Sequence, residues 1–135
     1  MKRFVTSALI TALLVMVLGG CLFNSCPDMR GLWGMIITVA EHSMPPLGLL
    51  IAEQSERTFS GSLLFAMTEN MGQVNGLLRS CKRFGETEIE MSFTEHEEDF
   101  IIEFVGTVRG DEMSGSCIWY EDTDEYPGHW LAERM

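Results

Sequence analysis

From Glu88 to Phe93 the chain alternates polar and apolar residues without a break: Glu88, Glu90 and Ser92 on one side, Ile89, Met91 and Phe93 on the other. Helical spacing cannot sort these six residues onto two faces, whereas a half-buried strand does so at once. From Arg30 onward the same short apolar runs recur, broken by Gly, Pro, Asn or acidic clusters at spacings of about 8 to 12 residues, which is an all-β pattern. It predicts eight strands, at 31–39, 47–53, 58–67, 73–79, 87–94, 100–109, 112–120 and 128–134.

The connections between these segments are short, so consecutive strands should pair as antiparallel hairpins in an up-and-down meander. Eight such strands can close into a small barrel, and closure removes the two edges an open sheet has to protect. Gly61, Gly76, Gly106 and Gly115 each follow an apolar residue by two positions. Glycine inside a strand marks a bend or a close approach, as tight coiling requires. The side chains expected inside are Trp33, Met35, Ile37, Phe59, Leu63, Phe65, Met91, Phe93, Phe104, Val108, Trp119 and Trp130. So many large residues favour a filled interior over a ligand cavity.

The first 21 residues follow a different plan. Lys2 and Arg3 precede an uncharged apolar run from Phe4 to Leu18, which ends in Gly19-Gly20-Cys21. That is the three-part layout of an export signal, and the run is short for a membrane span of about 20 residues. The ending Leu18-Gly19-Gly20-Cys21 resembles the lipobox of bacterial lipoproteins. The resemblance implies cleavage before Cys21, acylation of that cysteine and a lipid anchor in the cell envelope. It further implies the outer membrane, since Leu22 rather than Asp follows the cysteine. The chain then divides into a signal peptide at 1–20, a lipidated Cys with a short tether at 21–30 and a barrel at 31–135. Cleavage leaves 115 of 135 residues and takes the formal charge from −11 to −13 through loss of Lys2 and Arg3.

Gly31-Leu32-Trp33 opens the first strand and Trp130-Leu131-Ala132-Glu133-Arg134 closes the last. This pair resembles the calycin group, which includes lipocalins, fatty-acid binders and avidins. There a Gly-x-Trp on the first strand packs its indole against a basic residue from the end of the barrel. The resemblance implies that Trp33 and Arg134 meet where the barrel closes, and it brings with it the possibility of a small apolar ligand inside.

A meander alternates its turns between two ends. On the strands above, Arg30, Arg57, Arg79, Lys82, Arg83, Arg109 and Arg134 all fall at the end where the chain enters, facing the lipid anchor. The opposite end collects Glu41, Glu69, Glu95, Glu97, Glu98, Asp99, Glu121, Asp122, Asp124 and Glu125, with His42, His96 and His129. Cys26 and Cys81 share the entry end and are the expected disulfide, with Cys117 left in mid-strand as a buried thiol. No C-x-x-C is present.

Three binding readings follow. The acidic rim suits a basic protein partner. His42, His96 and His129 offer ligands for zinc, with methionines nearby for a softer ion. Ile101, Val105, Ile118 and Tyr120 on the sixth and seventh strands form an apolar outer stripe suited to a partner. Twenty acids against nine bases argue against nucleic acid. No G-x-S-x-G, H-E-x-x-H or Gly-rich phosphate loop is present, and Asp122-Thr123-Asp124 lacks the Gly and terminal Glu of a calcium loop. A non-catalytic binding barrel without a cofactor is therefore expected.

Overall fold

The computed structural model describes residues 26–40, 42–81 and 85–135, so Cys21, Glu41, Lys82 and Arg83 lie outside the described residues. Nine strands follow one another: β1 (Gly31–Val39), β2 (His42–Ser43), β3 (Leu47–Ser55), β4 (Thr58–Phe65), β5 (Glu69–Arg79), β6 (Thr87–Glu95), β7 (Phe100–Arg109), β8 (Glu112–Glu121) and β9 (Asp124–Arg134). All neighbours pair antiparallel, and β1 pairs with both β3 and β9. The sheet thus closes into the eight-stranded meander barrel expected from the sequence. The two-residue β2 is an extra flap on the end of β1, where Thr38 faces Ser43 and Val39 faces His42. Met44 N–H donates to Ile37 O, and Pro45 and Pro46 then stop the ladder because neither has an N–H to give.

Most strand boundaries match the expected ones within two residues. β4 stops at Phe65 because Ala66 and Met67 both take positive φ in a tight turn. β9 begins four residues early and carries Pro127, which pairs with Ile118 of β8 in a stretch that β1 does not reach. There the missing N–H breaks no ladder.

The interior is a continuous apolar core. Trp33, Phe93 and Phe104 are fully buried among Met35, Ile37, Leu49, Leu63, Met91, Val108 and Trp130. Two members of the expected inward set depart from it: Phe65 is 41% exposed at the rim, and Trp119 is half-buried. An apolar lumen inside a wall that carries Glu88, Glu90 and Glu103 is the inverse of a membrane-spanning barrel.

Glycines set the curvature. Gly106 and Gly115 face each other across β7 and β8, and a Cβ on either would collide with backbone, Ser114 O for Gly106 and Val105 O for Gly115. The close approach lets Trp130 on β9, the cross-strand partner of Gly115, donate its indole N–H to both Val105 O and Ser116 O at 3.1 Å. At Gly76 the occupant is instead the ring of its cross-strand partner Phe59. Gly115→Val should therefore cost about 3 kcal/mol or more, as overpacking against backbone does. Gly34→Ala, whose added Cβ would meet as its nearest neighbours the Met135 side chain and the Glu133 carbonyl at an ordinary 3.7 to 3.9 Å, should stay within about 1 kcal/mol of the parent. Urea unfolding of the two variants checks the contrast.

Candidate functional site

The entry end of the barrel is sealed. Cys26 is disulfide-bonded to Cys81, 55 residues on, with Cα atoms 4.8 Å apart. Residues 26–30, expected as tether, instead form a plug. Met29 is fully buried, and its N–H donates to Gln54 Oε1 at 2.6 Å. Gln54 Nε2 donates to Pro27 O at 2.8 Å, and the Trp33 indole N–H donates to Met29 O at 3.0 Å.

Arg134 fastens this plug to the closing strand. Its guanidinium lies 4.4 Å from the Trp33 ring centroid, as the Gly-x-Trp pattern implied. It also donates to Arg30 O at 2.9 Å, to Asp28 O at 2.7 Å and to the Asp111 carboxylate at 2.9 Å. One side chain thus joins the last strand, the first strand, the plug and the β7–β8 turn. Sequence reasoning found Trp33 and Arg134 but not Met29, Gln54 or Asp111. None of these three sits in a motif, and their roles depend on partners far away in the chain.

The bases at this end are largely matched by acids. Arg30 pairs with Asp28 at 3.0 Å, Arg79 with Glu90 at 3.0 Å, and Arg134 with Asp111. Hydrogen bonds from the Arg30 guanidinium, then from its backbone N–H, hold the Asp28 carboxyl at about 2. Arg57 and Arg109 have no ion pair among the described residues.

The opposite end is acidic throughout. Glu69, Glu95, Glu97, Glu98, Asp99, Glu121, Asp122, Asp124 and Glu125 occupy its turns and strand ends, and no Lys or Arg lies there among the described residues. Carboxylate oxygens of Glu95, Glu97 and Asp99, around the β6–β7 turn, lie within 4.8 Å of one another. Glu95 Oε2 and Trp119 Nε1 are buried and have no hydrogen-bond partner among the described residues. Beside them Phe100 stacks on Trp119 at 4.4 Å and tilts against Phe93 at 5.8 Å, and the partly buried Met44 and Met71 pack against the core. This end is therefore apolar beneath and anionic on top.

The histidines do not gather as a zinc set. His42 lies on the β2 flap and His129 on β9 beside β1, while His96 lies in the β6–β7 turn on the far side of the barrel. Among the described residues no histidine belongs to a group of three ligands that could share an ion. The outer stripe is brought together as expected: Ile101 faces Tyr120, and Val105 and Ile118 lie exposed on the same wall. Glu103 lies between them, facing Ile118 and accepting the Tyr120 hydroxyl at 3.3 Å. A second exposed apolar zone, missed in the sequence, lies across the closure, where Ile36 faces Leu131 and Met135 covers Gly34.

Replacing Cys26 and Cys81 together by Ser opens a 55-residue loop and should cost about 4 kcal/mol in urea unfolding. The Asp28 carboxyl, followed by NMR, should titrate near 2. Because its folded value lies below the ordinary 3.8, its stabilising share is complete above that value and is lost as pH falls through about 2.

Comparison with protein-family models, with curated proteins and with solved structures returns no match, so function has to be argued from the two ends of the barrel.

Proposed function

We propose that this chain is a lipid-anchored cell-envelope lipoprotein, held in the outer membrane through Cys21, whose barrel binds a basic protein partner at its acidic end and performs no catalysis. The observation that carries the reading is the segregation of charge. Nine described carboxylates converge on one end with no Lys or Arg among them, while the described bases lie towards the other. Single-sign fields of this kind raise encounter rates with oppositely charged partners and exclude like-charged ones. The other described carboxylates lie along the wall and among the bases of the plugged end, and solubility alone needs net charge, not a rim from which every described Lys and Arg is excluded.

A carrier role finds less support, because the space a ligand would need is occupied by Trp33, Phe93, Phe104 and Met29. The outer wall of β7 and β8 is the second docking reading, and Ile101, Val105 and Ile118, each more than a third exposed, favour it.

Photo-crosslinking residues placed at Glu98 or Asp122, and separately at Ile118, distinguish these surfaces in intact cells. The acidic-end reading expects adducts with a basic protein from the first two positions. Neutralising Glu97, Asp99, Asp122 and Asp124 to amides should then weaken capture about tenfold, equivalent to about 1.4 kcal/mol. Adducts from Ile118 alone would move the partner to the outer wall, and capture indifferent to the amides would overturn the electrostatic account.

A further inference from the structure

We propose that the plugged end of the barrel is a membrane-facing surface, docked on an anionic bilayer, and that the acidic end is held away from that bilayer. The inference rests on the lipid anchor at Cys21 and adds what the anchor alone does not specify, which is the direction the barrel points.

The first argument is reach. Between Cys21 and Cys26 stand four residues. At no more than about 3.6 Å per residue, the acylated cysteine stays within about 18 Å of Cys26 whatever path the chain takes. Cys26 cannot extend the leash, because it is bonded to Cys81 beyond the end of β5 and followed by the plug that Met29, Gln54, Trp33 and Arg134 hold in the barrel. A tether of residues 21–30 hinging freely at Gly31 would have doubled the reach. The long strands, such as the 11 residues of β5 and of β9, run from one end of the barrel to the other. At about 3.3 Å per residue and the usual barrel tilt, the acidic rim lies about 25 Å from the plugged end.

The second argument is charge, and it is independent of the tether. An anionic bilayer repels the end that carries nine carboxylates and no Lys or Arg among the described residues, within a screening length of about 8 Å at physiological salt. The plugged end is mixed in charge, with Glu56, Glu86, Asp111, Glu112 and Glu133 among its bases, so an anionic bilayer repels it less than the acidic end. There Arg57, in the β3–β4 turn, and Arg109, at the end of β7, are exposed and without an ion pair among the described residues, so their guanidiniums are available to head-group phosphates. The wall nearest the tether offers no competing docking face: Gln73, Asn75, Glu88 and Glu90 of β5 and β6 lie on it, with Arg79 paired to Glu90. Tether and field therefore favour the same orientation.

The test uses the acylated protein, extracted with its own anchor and reconstituted into phosphatidylethanolamine–phosphatidylglycerol vesicles. Single labelling sites are introduced as Glu112→Cys, at the plugged-end start of β8, or Asp122→Cys, in the acidic-end turn. In the acylated protein the Cys21 sulfur carries the lipid, Cys117 is buried and Cys26 and Cys81 are bonded to each other, so only the new thiol takes a fluorophore in the folded protein. A head-group nitroxide lipid then reports distance. We expect the label at position 112 to be quenched at least threefold more strongly than the label at 122. Equal or reversed quenching on protein whose intact mass shows the acyl chains would overturn the orientation and leave the anchor standing. An unacylated mass would remove the anchor and the orientation together.

Discussion

The pairing of β1 with β9 is the contact on which the remaining structure depends. Seven residue pairs, from Trp33 with Arg134 to Val39 with Gly128, turn an open meander with two bare edges into a closed wall. The seam is weakest at its two ends, where a strand frays first. At one of these ends Arg134 lies over Trp33, a contact worth about 0.5 to 2 kcal/mol depending on its solvation. The same guanidinium bonds backbone oxygens of Arg30 and Asp28, so separating the seam would also unfasten the plug. Closure and plugging therefore share one side chain, Arg134.

Closure also explains the charge pattern. In a closed meander with an even number of long strands both chain ends emerge on the same side, and every second turn belongs to the opposite rim. A sequence can then confine its bases to one set of turns, with acids among them, and leave the other set to acids without conflict inside the wall. The disulfide uses the same parity. Cys26 precedes the first strand and Cys81 follows β5, so both fall at the entry end, and the bond fixes the chain where it meets the barrel.

What the sequence made legible follows period and parity. Alternation located β6 and the other long strands, glycine spacing located the coiled region around Gly106 and Gly115, and turn parity paired Cys26 with Cys81 before any coordinates. Contacts made by single side chains across the closed barrel were not legible. Arg134 reaches Arg30 and Asp28 over separations of 104 and 106 residues, and Gln54 reaches Pro27 over 27. No local pattern encodes such a meeting, so Met29 reads as part of a tether until the barrel is closed around it. The histidines failed for the complementary reason. Sharing a rim places groups at one end, but β6 and β1 stand opposite each other around the wall, and a metal needs ligands within one coordination sphere.

The filled interior determines where specificity can reside. A barrel whose axis holds the fully buried Trp33, Phe93 and Phe104 leaves little room to select a ligand by shape, and the binding proposed above is therefore sought at its surfaces. On the acidic end the buried Glu95 Oε2 adds something that exposed carboxylates lack. A cationic group reaching that oxygen would give it the hydrogen-bond partner it lacks among the described residues. Charge spread over the rim would govern how fast and how selectively the proposed basic partner arrives. For the basic partner proposed above, the β6–β7 turn would offer the densest set of acceptors, since carboxylate oxygens of Glu95, Glu97 and Asp99 lie there within 4.8 Å of one another.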